Sequence, residues 1–177
     1  MAPDPHPTRS LPDDALIEGK PSPTPTTITR ASPDDLDALV PLFDAYRVFY
    51  DQRSRPAHVR AFLAERLQKQ ESVIFIARVA QSPQADAPAG FAQLYPSFTS
   101  IGLARSWILS DVFVHRDHRN RAIGRALVQR CIEHAEESGA ARLTLETARD
   151  NSRAKRLYEA LGFKPDTGFV TYQLAVD

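Results

Sequence analysis

The chain has 177 residues, enough for one domain around a single core, and its 22 basic side chains balance its 22 acidic ones. That balance excludes a global field drawing the protein to nucleic acid or an anionic membrane, and no apolar run approaches the length of a bilayer span. The N-terminus lacks the apolar stretch of a secretory signal and Cys131, the single cysteine, has no partner for an internal disulfide, so a cytoplasmic protein is expected.

Residues 1–25 hold half of the fourteen prolines among Ser, Thr and Asp. Burial cannot offset the ordering entropy of such a segment, so a flexible tail is expected, with Leu11, Ala15, Leu16 and Ile17 as the place for a short docked turn. The folded domain is expected over 26–177, opening on the β-branched strand Thr26–Arg30. Ser32 then reads as an N-cap, followed by Pro33 at the first helical position and acids at Asp34 and Asp35. Leu36, Leu39, Val40, Phe43 and Arg47 continue a helical stripe, within which Pro41 predicts a kink or an early end. After a polar break at Asp51–Arg55, a second helix is predicted from about Ala57 to Gln70, with Val59, Phe62, Leu63 and Leu67 facing inward.

Strands are predicted at Ser72–Val79 and Ala89–Tyr95, joined by an exposed loop over Gln81–Pro88. Pro96–Ser100 is expected to break the second strand, and a long strand from about Leu103 to Val114 leads into the polar turn His115–Asn120. The following helix buries Ile123, Leu127, Val128, Cys131, Ile132 and Ala135 at three- and four-residue spacing. Arg142–Thr147 reads as a strand, and Phe169–Val176 alternates as a last one.

Chemistry concentrates at the join Arg119–Gly124, where small residues let the backbone approach a ligand beside a helix N-terminus. Free N–H groups and the positive end of the helix dipole favour an anion there, most often a phosphate. An ordinary strand-to-helix connection with solvated arginines reads the same way, and the stretch Asp150–Phe163 decides between the two. Val114, Arg119, Ile123 and Gly124, followed by Asn151, Ala154, Leu157, Tyr158, Gly162 and Phe163, resemble the GCN5-related N-acetyltransferases, the GNAT family. That family's acetyl-CoA loop reads V-x-P-x-x-R-G-x-G-I-G, and its distal stretch reads N-x-x-A-x-x-L-Y-x-x-x-G-F. Arg116 stands in place of the proline, and Asn120 and Ala122 in place of the first two glycines. Asn tolerates left-handed backbone, whereas Ala122 adds a methyl toward the diphosphate, which implies weaker or displaced cofactor binding.

The resemblance implies an α/β (α+β) acyl-CoA N-acyltransferase fold from Thr26 onward: a mixed, mostly antiparallel sheet of roughly six to seven strands flanked by about four helices. The implied cofactor is acetyl-CoA, leaving as CoA. It would be held by the backbone from Arg119 through Asn120, Arg121, Ala122 and Ile123 to Gly124, with Arg125 and Asn151 beside it. Pantetheine would pair as an added strand along Val112, Phe113 and Val114. The implied reaction is acetyl transfer to a primary amine by direct attack in a ternary complex, the acceptor being a small molecule or a protein lysine. Either Asp111 or Glu146 would accept the amine proton, and Tyr158 would protonate or hydrogen-bond the leaving thiolate while touching the cofactor. Deprotonating an amine of pKa about 10.4 at pH 7 costs about 4 to 5 kcal/mol, which is why a carboxylate is needed.

Aromatics at Tyr46, Phe49, Tyr50, Tyr95, Phe98 and Trp107 are candidates for the acceptor pocket, Tyr46 and Tyr50 foremost because they are four apart before a polar break. YRVFYDQ and LYPSFTS resemble the branch that includes histone- and polyamine-type acetyltransferases. His115 and His118 read as solvated turn residues, with no metal expected. Arg116, Arg119, Arg121 and Arg125 have a diphosphate to explain them, so no nucleic-acid partner is expected. Two further expectations are a homodimer through the C-terminal run and, as the competing reading, a module that binds CoA or acyl-CoA without turnover.

Overall fold

The structure, a computed structural model, describes residues 26–80 and 88–176. The expected tail, its docked turn and the hairpin loop except for Pro88 lie outside the described residues. Five strands form one sheet in sequential order: β1 (Thr26–Arg30), β2 (Val73–Val79), β3 (Pro88–Thr99), β4 (Ala104–Val114) and β5 (Arg142–Leu145). Neighbours are antiparallel except β4 and β5, which run parallel with the helix α3 (Ile123–Glu137) as their crossover. Helices α1 (Leu36–Phe49) and α2 (Pro56–Gln68) cover one face, and α3 with α4 (Ser152–Ala160) the other.

Because both faces are covered, β2 reads as the unbroken apolar run VIFIA rather than an alternating one, and its residues divide between two cores. Val73, Phe75 and Ala77 pack toward α3, while Ile74 and Ile76 pack with Leu39, Phe43, Val59 and Leu63 of α1 and α2. Phe62 is an exception to the expected inward set; it lies on the exposed side of α2 under Arg66.

Ser32 caps as its sequence suggests: its Oγ accepts from Asp34 N, and its own N–H donates to Asp35 Oδ2 at 2.8 Å. The first turn, Pro33–Asp35, is a 3-10 turn that runs into α1. Burial resists ionisation of Asp35, but the Ser32 N–H and the Arg78 guanidinium at 2.6 Å outweigh it and hold the carboxyl below its ordinary range. Helix α1 continues through Pro41 to Phe49, with the proline on its exposed side. The buried carboxylate of Asp44 then gathers the connection to α2, accepting from Ser54 Oγ at 2.6 Å and Arg55 N at 2.8 Å.

Two expectations need correction. Pro96 does not break β3, which runs on to Thr99 paired with β4. Past Leu94 the strand has no β2 partner, and a proline without N–H is tolerated beside such an open edge. The run Phe169–Val176 is not a strand among the described residues, so the sheet has five strands rather than six to seven. No neighbouring backbone among the described residues pairs with that run, and Phe169, Val170, Tyr172, Leu174 and Val176 all stand exposed.

Candidate active site

The site begins with a fault in β4. In the β3–β4 register Leu94 faces Leu109 and Gln93 faces Asp111, so Ser110 is an extra residue, a β-bulge. A bulge shifts the phase of side-chain alternation. Trp107 and Leu109 point into the α3 core, and after the bulge Val112 and Val114 do so as well. Asp111 and Phe113 therefore turn to the α1 face, where Phe113 joins the second core and Asp111 Oδ1 accepts from Tyr46 Oη at 2.8 Å. The bulge also ends the pairing with β5, which covers only Ser106–Leu109. From Ser110 onward the main-chain groups of β4 that point away from β3 have no strand beside them among the described residues. Glycine at 90 keeps the other side tight, since a Cβ there would lie 2.6 Å from the Phe113 carbonyl oxygen.

Beyond Val114 the chain makes a 3-10 turn at Arg116–His118 and enters α3 through two left-handed residues, Asn120 at φ 62° and Ala122 at φ 59°. Both stand where the motif carries glycine. None of the N–H groups from Asn120 through Arg121, Ala122, Ile123 and Gly124 to Arg125 finds an acceptor among the described residues. They sit at the positive end of α3, which suits a diphosphate. The Arg119 side chain turns back instead, its Nε donating to Val114 O at 3.2 Å and its guanidinium lying 5.3 Å from the Phe49 ring centre. Arg153 of α4 donates to Asn120 Oδ1 at 2.6 Å and ties the loop from the far side. His115 and His118 belong to the turn; burial and then Arg121 hold His118 below its ordinary pKa.

Asn151 caps α4, its Oδ1 accepting from Ala154 N at 3.0 Å. The residue is 2% exposed, and its Nδ2 has no acceptor among the described residues. An unfilled buried donor at the start of α4, the helix that Arg153 ties to Asn120, together with an open strand edge and an N–H row without acceptors among the described residues, fits an amide-bearing arm with a diphosphate, as acetyl-CoA has. Two turns along α4, Tyr158 is buried beside Leu157 with its ring 5.8 Å from that of Phe163. Burial first, then Tyr50 and Cys131, push its hydroxyl well above the usual phenol range.

On the acceptor side, Tyr46 and Tyr50 meet edge to face at 5.0 Å, and Tyr46 also packs against Phe91 and Phe113. Tyr95 Oη accepts from Gln93 Nε2 at 2.9 Å. Burial and then the Asp111 carboxylate raise the phenols of Tyr46, Tyr50 and Tyr95, the last to about 12, so all three surround one negative charge. Glu146 is not part of this group. Since β5 stops at Leu145 where the bulge ends its pairing, Glu146 lies past the strand, exposed, with no hydrogen bond or ion pair among the described residues. Trp107 belongs to the other core, donating to Ser138 Oγ at 2.8 Å, and Phe98 is exposed under Arg105. Gln93 and the bulge are site features that sequence reasoning missed. Gln93 carries a signal in retrospect, as an amide inside the apolar run of β3.

A sheet that parts between its fourth and fifth strands beside a phosphate-ready helix end is the framework of an acyltransferase. A family model described as the acetyltransferase (GNAT) family matches residues 37–163, and the chain belongs to that family. An uncharacterized N-acetyltransferase of Bacillus subtilis, YhfO, is 42% identical over 149 residues, covering 84% of this chain and 97% of that protein. A probable acetyltransferase of Haemophilus influenzae is 34% identical over 130 residues, covering 73% and 84% respectively. A crystal structure of a probable acetyltransferase superposes with a TM-score of 0.79 at 40% identity, covering 85% of this chain and 98% of that one.

Enzymes of this family use acetyl-CoA, and the left-handed alanine bears on how this chain would hold it. A Cβ in that conformation costs about 1–2 kcal/mol, partly offset in Gly by a freer unfolded chain, about 0.4–1 kcal/mol. Ala122→Gly is expected to leave the melting temperature unchanged or raised. Removing the methyl from the N–H row should also tighten acetyl-CoA about fivefold by calorimetry, roughly 1 kcal/mol. Weaker binding in the variant would show that the methyl does not obstruct the diphosphate.

Proposed function

We propose that the protein transfers the acetyl group of acetyl-CoA to a primary amine by direct attack in a ternary complex. The observation that carries this reading is the Ser110 bulge, through which consecutive residues of β4 serve both sides of the reaction. Main-chain groups at Val112, Phe113 and Val114 line an open edge, and Asp111 points across the sheet to Tyr46, Tyr50 and Tyr95. Acetyl-CoA, when bound, supplies the acetyl group as a thioester. Asn120 to Gly124 and Asn151 hold it; Asp111 accepts the proton that the amine loses as its nitrogen bonds to the carbonyl carbon. The Tyr158 hydroxyl hydrogen-bonds the departing sulfur, and one proton leaves the site for each acetyl transferred.

Two partial relatives suggest the range of acceptors. The [ribosomal protein bS18]-alanine N-acetyltransferase of Escherichia coli is 39% identical over 59 residues, 33% of this chain. The thialysine N-epsilon-acetyltransferase of Bos taurus is 32% identical over 80 residues, 45% of this chain. Both names describe amines, one at a protein N-terminus and one on a short side arm. The test is calorimetric titration with acetyl-CoA and CoA, then a free-thiol assay against polyamines, amino compounds, a lysine peptide and a peptide with a free alanine N-terminus. Thiol release dependent on one amine class supports the reading; binding without turnover for any acceptor supports a sensor module instead.

Among the described residues no helix is long and apolar enough to cross a membrane, and we place the reaction in the cytoplasm with neither nucleic acid nor membrane as partner. We also propose a homodimer. The outer edge of β5 has no strand among the described residues, and the exposed run at Phe169–Val176 carries the alternation to fill such an edge in a second copy. Light scattering at micromolar concentration is expected to give twice the 19.7 kDa chain mass, and truncation before Phe169 the mass of one chain. A full-length protein that scatters as one chain ends the proposal.

A further inference from the structure

Half of the Gln93 amide has no partner. The residue is 0% exposed; its Nε2 donates to Tyr95 Oη at 2.9 Å, and its Oε1 meets no donor among the described residues. A buried carbonyl without a donor lowers stability, and a methionine of similar volume would fill the same space among Phe91, Ile74 and Ile76 without that penalty. The exception calls for a donor that arrives from outside.

Its position says which one. Gln93 stands directly opposite Asp111 in the β3–β4 register. Such cross-strand pairs share a face with Cβ atoms about 4.5–5.5 Å apart. The Tyr95 hydroxyl holds the amide by its nitrogen and so fixes the direction of Oε1. Tyr95, which holds the amide, is itself only partly buried.

We infer that Gln93 is a specificity-determining residue that accepts a second N–H from the attacking nitrogen, beside the one taken by Asp111, and so restricts the enzyme to primary amines. This rests on the amine-acceptor reading above. A tetrahedral nitrogen has three positions besides its carbon chain. In the neutral amine that attacks, one N–H faces Asp111 and passes its proton there, one N–H faces Gln93 and stays on the product amide, and the lone pair at the third position forms the bond to the carbonyl carbon as the thioester C–S bond breaks. An N-methyl group must occupy one of these, and each is needed.

The test compares an alkyl primary amine that supports turnover with its N-methyl counterpart, using the full chain and acetyl-CoA. The wild type is expected to favour the primary amine about a hundredfold in kcat/KM. Gln93→Met should raise the primary-amine KM about tenfold to a hundredfold, the loss of a hydrogen bond to a charged group, leave the acetyl-CoA Kd unchanged and shrink the preference. Gln93→Glu keeps an acceptor and should keep the preference, while its second carboxylate moves the acid limb of the pH profile upward. Unchanged amine KM and preference in Gln93→Met overturn the inference. Should that variant not fold, Tyr95→Phe frees the amide to turn and should raise the amine KM severalfold; no change there overturns the inference equally. A wild type that turns over no amine overturns the acceptor reading and this inference together.

Discussion

Replacing Tyr158 by Phe is expected to lower kcat about a hundredfold with little change in the acetyl-CoA Kd or the melting temperature. The ring stays, so its packing with Leu157 and Phe163 stays; only the hydroxyl is lost. Burial raises that hydroxyl's pKa above the ordinary phenol range, so it remains protonated throughout the pH range in which the enzyme would work. A thiol has a pKa near 8.5, and full transfer from so weak an acid is uphill. On the proposed mechanism Tyr158 would therefore act mainly by hydrogen-bonding the sulfur as charge builds on it, an interaction made in the transition state rather than in the bound complex. Such a loss falls on kcat. For the same reason the phenol should impose no alkaline decline on the rate below about pH 10. Thiol-release rates for Tyr158→Phe within threefold of wild type would make Tyr158 a packing residue and nothing more.

Asp111→Asn is expected to reduce kcat/KM for the amine by about a hundredfold to ten-thousandfold, and Glu146→Gln by less than twofold. Asparagine can still accept from Tyr46, so the link between α1 and β4 survives and the charge alone is removed. With no carboxylate to take the proton, the variant depends on solvent to neutralise the amine. Its rate should rise about tenfold per pH unit toward the amine pKa near 10.4. The opposite ranking, with Glu146→Gln crippled and Asp111→Asn close to wild type, would transfer the role to the end of β5.

The cofactor half of the candidate site can be proposed from the sequence because it is built from neighbouring stretches of chain. A strand, a turn and a helix N-terminus adjoin in the chain, and Asn151 and Tyr158 lie on one short helix. What stayed hidden was set by tertiary pairing. Period-two reading carried through ARSWILSDVFV keeps Asp111 on the side of Trp107 and Leu109, and the register slip at Ser110 shows only once β3 lies alongside. Gln93 drew no reading because a single amide in an apolar strand looks like noise until its neighbour across the sheet is known to be Asp111. Arg119 was legible as part of the loop but not as the clasp that joins Val114 to Phe49. Phe169–Val176 has the alternation of a strand, yet strand formation also needs an edge to pair with, which alternation does not provide.

The phase change at Ser110 also divides the candidate site into two groups of side chains. On the proposed mechanism, residues that would read the amine come from α1, from β3 and from one side of β4, whereas those that would take the thioester come from the other side of β4, α3 and α4. Beyond the strand, the two groups touch where Arg119 lies against Phe49 of α1 and where Tyr50 acts on Tyr158. The slip holds that division in place: were Ser110 to take a place in the ladder, Asp111 would stand on the side of Trp107 and Leu109, away from Tyr46.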